Sequence, residues 1–270
     1  MTRSIRAMYF SPTGTTQKII TGIAGTISKH FAQETHTIDF TLPEERMKPI
    51  SFSRDDIVII GVPVYAGRVP NVLLKYLTSI MGNDALAIAV VLYGNRNYDD
   101  ALIELRDILN NNGFKVIAGG AFIGEHSFSK TLAQNRPDEK DMNIVEDFAN
   151  QIINKMRTSN ELQTVNVKGN QPYRNYYKPI NKEGIPVDIR KVTPKTNDRC
   201  LDCKLCVTVC PMGSIDPEDV TKLKGICIKC GACIKKCPSE AKYYDDQDYL
   251  RHKQELELEF SSRNEPELFL

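Results

Sequence analysis

Two stretches of one spacing, C-L-D-C-K-L-C-V-T-V-C-P at 200–211 and C-I-K-C-G-A-C-I-K-K-C-P at 227–238, hold all eight cysteines of this 270-residue chain. Thiols at that density are either disulfides or metal ligands. The opening M-T-R-S-I-R-A-M-Y-F is too brief an apolar run for a signal peptide, and no stretch approaches the roughly 20 apolar residues of a membrane span. A cytoplasmic, reducing setting is therefore expected, in which crowded cysteines serve metals or redox chemistry. Spacing then separates the metals. Zinc sites draw two C-x₂₋₄-C pairs, roughly a dozen residues apart, into one tetrahedron. Here a third cysteine follows after only two residues. Three thiolates on one tight loop can each meet a separate iron of one cubane, while a fourth, ahead of a proline, leaves in another direction.

Over residues 196–245 the paired runs resemble the two-cluster bacterial ferredoxins. The resemblance implies two [4Fe-4S] clusters, each completed by a cysteine of the other run: Cys200, Cys203 and Cys206 with Cys237, and Cys227, Cys230 and Cys233 with Cys210. A module this small draws part of its folding free energy from such clusters. One asymmetry stands between the runs, Lys204 facing Gly231. Glycine is expected to let backbone approach the sulfides and lysine to add charge, unless Lys204 is merely solvated.

The first two thirds of the chain alternate. I-R-A-M-Y-F (5–10), T-H-T-I-D-F (35–40), D-I-V-I-I-G-V (56–62), L-A-I-A-V-V-L-Y (86–93) and F-K-V-I-A-G-G-A-F (114–122) read as strands. Helical stretches follow the first and lie near 70–81, 98–111 and 138–157. The pattern predicts an α/β domain with a doubly wound, five-stranded parallel sheet and a ligand crevice at the carboxyl ends of its strands. Between the first strand and its helix lies Ser11-Pro12-Thr13-Gly14-Thr15-Thr16. Helix-start amides, Gly14 and the hydroxyls of Ser11, Thr13, Thr15 and Thr16 suit a phosphate dianion. Neither G-x-x-x-x-G-K-[ST] nor G-x-G-x-x-G is present, so nicotinamide oxidation is not expected.

With P-V-Y-A-G-R-V-P at 63–70 and Y-G-N-R-N-Y at 93–98, this loop resembles those of flavodoxin across residues 4–157. The resemblance implies FMN. Tyr65 and Tyr98 would be its aromatic walls, with Pro63, Val64 and Ala66 in the same loop and Gly67 near the flavin N5. Gly94, Asn95 and Arg96 would line the pyrimidine edge, and Tyr93 ends the strand as a core residue. Thr15 departs from the asparagine common in that family. His126, in G-E-H-S-F-S at 124–129, has no visible partner.

The expected layout is thus a flavodoxin-like domain at 1–157, a linker at 158–195, a small α+β ferredoxin domain at 196–245 and a tail at 246–270. The linker breaks at prolines and carries Tyr173, Tyr176 and Tyr177, which suggests that it lies on a surface. The tail reads as a charged helix followed by L-F-L that can dock back. The whole resembles the flavodoxin-ferredoxin fusion proteins of anaerobic microbes. It implies an electron-transfer flavo-iron-sulfur protein between redox protein partners, a donor and an acceptor, with Arg68 facing the negative charge of the loaded clusters. A flavin-dependent reductase of a quinone or small organic acceptor and an iron-sulfur sensor with a docking flavodoxin domain stay open, as does a homodimer. Lys+Arg 35 against Asp+Glu 34 gives no basic excess for nucleic acid.

Overall fold

Strand β1 (Ser4–Tyr9) leads through a glycine in left-handed conformation, Gly14, into helix α1 (Thr15–Phe31). In this computed structural model residues 3–181 and 183–270 are described; Met1 and Thr2 of the first domain and Lys182 of the linker lie outside. Strands β2 (Thr35–Asp39), β3 (Asp56–Pro63), β4 (Leu86–Tyr93) and β5 (Lys115–Ile123) all pair in parallel, in the order β2-β1-β3-β4-β5. That order reverses between β1 and β3, the flavodoxin-like switch point, and opens the crevice at their carboxyl ends.

The near-continuous apolar runs of β3, β4 and β5 follow from burial on both faces. On one face α1 presents Ile19, Ile20, Ile23 and Ile27 at helical spacing, and α4 (Glu139–Thr158) adds Phe148 and Ile152. Asp138 and Asp141 close a capping box at the start of α4. Helices α2 (Asn71–Leu77) and α3 (Ala101–Asn111) cover the other face. Both are shorter than their sequence spacing predicts. Thr78 caps α2 by bonding back to Leu74. Asp99, at φ 44°, is left-handed and gives its N–H to the Asn97 side chain, so α3 cannot start at 98.

Residues 165–177 lie on the sheet domain, as the tyrosines suggest, whereas Ile189 and Val192 pack with Tyr244 and Tyr249 beyond the cysteines. Val165 pairs its amide with the Val116 carbonyl, and the amides of Asn170 and Arg174 fall on the buried Asp100 carboxylate. Arg68 stands between the rings of Tyr173 and Tyr176, 4.8 and 5.1 Å from their centroids, and pairs with Glu104. This corrects the expected role of Arg68: its charge is spent on holding this segment.

The cysteine-bearing module is a hairpin of β6 (Lys195–Thr196) and β7 (Lys242–Tyr243) with short helices α5 (Leu205–Thr208) and α6 (Ala232–Lys235). The two runs repeat in conformation. Asp202 and Lys229 take φ of 49° and 55°, Lys204 and Gly231 of 58° and 76°. The Ser214 amide donates to the Cys210 sulfur and the Ala241 amide to that of Cys237, each at 3.3 Å. Helix α7 (Gln247–Glu259) follows, capped by Asp246. The last residues then add a sixth strand, β8 (Glu267–Phe269), antiparallel to β5. Three residues are too few to show a period, yet they cover an open sheet edge.

Candidate cofactor sites

All eight cysteines are free thiols. Among the described residues no three His, Cys, Asp or Glu side chains gather as ligands of one ion; the thiols instead ring two spaces. Cys210, Cys227, Cys230 and Cys233 line one, with about 360 Å³ of empty volume including its open side. Cys200, Cys203, Cys206 and Cys237 line the other, with about 320 Å³. Each quartet takes three thiols from one run and the fourth from the other. Four soft thiolate donors around an open volume fit an iron-sulfur cluster.

The electrostatics of the two spaces differ. Burial pushes the Cys230 thiol up to about 12 and raises Cys233 further. Burial also acts against the Cys237 thiolate, but hydrogen bonds from Ser239 and the Ala241 amide outweigh it and bring that thiol below its ordinary value. The first quartet faces solvent: Cys203 is exposed and Leu201 beside it is 72% accessible.

The second quartet faces the crevice. A Cβ on Gly231 would lie 2.5 Å from the Ser127 carbonyl oxygen, in the loop after β5. The glycine therefore serves close approach of the module to the sheet domain, whereas Lys204, at the same place in the first run, turns out to pair with Asp202. Lys235 of α6 bonds Glu125 and the Ser129 carbonyl in that loop. On the other side, Arg46 binds the Phe40 and Thr41 carbonyls and that of Pro211, next to Cys210.

The three loops expected to hold a flavin all lie at this end. Gly14 heads α1 at φ 90°, followed by the amides of Thr15 and Thr16, which have no intrahelical partner. Thr13 and Thr15 are half-buried; Thr16 is buried with its methyl toward Gly61. The Ser11 hydroxyl accepts the Gln17 amide. After β3, Pro63 and Val64 lead into a tight turn in which Ala66 and Gly67 both have positive φ and Tyr65 and Arg68 exchange backbone bonds. The Ala66 carbonyl accepts from the Tyr177 amide and that of Gly67 from the Asp100 amide. Burial, then the thiolate charges of Cys230 and Cys227, raise the Tyr65 hydroxyl well above the usual phenol range.

The loop after β4 differs from expectation. Tyr98 is 5% exposed, packs on Tyr93 in the core at 5.6 Å and donates to Glu267 of β8. Asn95 bonds the Phe260 and Ser262 carbonyls and receives the Asn264 amide, so the tail covers this edge. Arg96 pairs with Asp99 and lies 4.9 Å over the ring of Tyr177. That tyrosine stacks on His252 at 5.9 Å. His126 packs on Gly94, whose Cβ would lie 2.3 Å from its ring, and its Nδ1 accepts the Phe128 amide. Burial and the neighbouring charges of Lys235, His252 and Arg96 push it down to about 4. His252 comes from the tail helix, a segment without a local signature, so sequence did not single it out; Tyr177 and His126 were noted there, but not their partners.

Residues 148–253 match the family described as 4Fe-4S dicluster domain. No curated protein sequence matches the chain. Among solved structures, a flavodoxin from the domain Archaea is 15% identical, with 57% of this chain and 99% of that one covered and a TM-score of 0.40. A Streptococcus pneumonia flavodoxin is 16% identical, with 56% and 98% covered and a TM-score of 0.39. The apo form of an NADH:FMN oxidoreductase is 18% identical, with 60% and 94% covered and a TM-score of 0.40. The strand order itself carries the fold assignment. The chain joins an α/β domain of flavodoxin-like strand order to a segment, residues 148–253, that matches the 4Fe-4S dicluster domain.

Proposed function

We propose that the chain carries electrons between a protein partner and a single bound FMN by way of two [4Fe-4S] clusters. One observation carries the reading: the thiols fall into two exchanged quartets, and the run that supplies three of the second packs against the loop after β5, at the end of the sheet where the flavin loops lie. Residues 1–157 form the flavin domain in this reading, 158–195 its docked connection, 196–245 the cluster domain and 246–270 a clasp. FMN accepts one or two electrons and each cluster one. The protein's residues do the rest. Cys200, Cys203, Cys206 and Cys237 hold the outer cluster, where a partner can dock at the exposed Cys203 face. Cys227, Cys230, Cys233 and Cys210 hold the inner one. The loop from Ser11 to Thr16 takes the phosphate, and the turn at Tyr65–Gly67 sets the ring against the inner quartet. Joining the modules replaces a bimolecular encounter with a local one.

A reductase of small acceptors needs an open ring edge, and the tail lies over Asn95; the carrier reading is therefore preferred. Protein purified without oxygen is expected to hold one FMN, eight irons and eight sulfides per chain. Zinc in place of iron would overturn the reading, and clusters without flavin would favour a sensor.

A further inference from the structure

Among the described residues, buried charges meet an opposite charge, except that amides alone satisfy Asp100 and neutral oxygens alone Lys229 and Lys242. Arg6 meets Asp56, Arg68 meets Glu104, Arg136 meets Asp141, and Asp100 receives the amides of Asn170 and Arg174. Lys229 and Lys242 are as deeply buried, 5% and 4% exposed, and bond only neutral oxygens. Lys242 donates to the Thr196 hydroxyl and the Val220 carbonyl. Lys229 donates to the carbonyls of Arg190 and Cys227; the carboxylate nearest in its surroundings, Asp188, is already bound by Arg190. A buried ammonium without an anion is costly, so its place implies an anion beside it.

Position says which anion. Lys242 lines the cavity of the first quartet, and its strand β7 packs against α6, the helix that carries Cys233. Lys229 sits two residues beyond Cys227 and precedes Cys230, against the second quartet only.

We propose that Lys242 and Lys229 are fixed counter-charges of the clusters. Lys242, between the quartets, raises the reduction potential of both, and Lys229 raises that of the second alone. The inference rests on the cluster assignment made above. Its physical basis is that reduction adds one negative charge to a cluster, and a cation held at low dielectric stabilises the reduced form more than the oxidised one. Both lysines act on the clusters through space as positioning charges and transfer nothing themselves. The charged residue that the sequence offered for this role, Lys204, is 37% exposed and paired with Asp202, which cancels its effect.

The test is a potentiometric titration of the anaerobic full-length protein, followed by electron paramagnetic resonance, for wild type, Lys242→Met, Lys242→Arg and Lys229→Met. Loss of Lys242 is expected to weaken reduction of both clusters at least tenfold, a fall of about 59 mV for each one-electron couple. Lys229→Met is expected to move one couple and leave the other, and Lys242→Arg to keep both. Unchanged couples in Lys242→Met would overturn the proposal, as would equal shifts in the Met and Arg variants. If Lys242→Met assembles no clusters, iron and sulfide content decides. Eight irons retained in Lys242→Arg supports a requirement for charge, and loss in both shows a requirement for shape and overturns it. Wild type holding zinc would instead refute the cluster assignment itself, an outcome that metal analysis of that sample detects separately.

Discussion

Replacing Gly231 by alanine tests how the cluster module meets the sheet domain. The new Cβ would sit 2.5 Å from the Ser127 carbonyl oxygen, against 3.4 Å for the nearest ordinary contact, so something must move by 3.4 − 2.5 = 0.9 Å. The obstacle is backbone, which yields less readily than a side-chain end. Overpacking of this kind costs about 1–3 kcal/mol, and an L-residue at φ 76° adds about 1–2 kcal/mol. The sum is about 2–5 kcal/mol, which lowers a thermal midpoint by at least roughly 4 °C in a protein of this size. Lys204→Ala is the control, because it keeps the same backbone conformation on the exposed side of the repeat and is expected to change stability by no more than about 0.5 kcal/mol. Calorimetry of the two variants, each with its iron content checked, gives the comparison. A Gly231→Ala protein that melts with the wild type would show that the modules do not pack through this contact, and the glycine would need another reason.

The remaining predictions use the same clasp and crevice. Asn95→Ala removes the bonds to Phe260, Ser262 and Asn264 and is expected to destabilise by about 2–3 kcal/mol and to expose the tail to protease, both readable in one proteolysis-coupled melt. Arg68→Met leaves Glu104 buried without its partner; the expected loss is about 3 kcal/mol, with new cleavage between Tyr173 and Tyr177. For His126 the folded form disfavours the proton, moving from 6.5 to about 4. Its contribution is complete above pH 6.5 and is lost as pH falls toward 4, where the unfolded chain binds a proton that the folded chain refuses. Between pH 7 and 5 the wild type should therefore lose about 2 kcal/mol more than His126→Asn, and equal losses would refute the assignment.

Local pattern revealed what local forces decide. Strands β3, β4 and β5 are apolar runs because helices cover both faces, and that burial is written in them residue by residue. The cysteine partition followed from a repeat whose two halves adopt one backbone. What stayed hidden depends on residues far apart in sequence. The partners of Asn95 and Tyr98, Asn264 and Glu267, lie about 170 positions away, Glu267 in a strand of three residues, so neither bond could be read locally. Arg68 read as a free charge until Glu104 and two linker tyrosines enclosed it. Gly231 suggested cluster chemistry, yet the crowding that demands it comes from Ser127. Lys242 carried no signal at all, since a lysine in a two-residue strand reads as surface until the fold buries it.

The central claim is that flavin and inner cluster form one electron-transfer unit. Stopped-flow mixing of the anaerobic holoprotein with a reductant that reaches the clusters first, repeated over a wide range of protein concentrations, tests it most directly. Flavin bleaching is expected to follow cluster reduction at a rate independent of protein concentration, with the mass in solution then telling a single chain from a stable dimer. A rate that rises in proportion to concentration would mean that electrons pass between separate molecules, and would contradict the account.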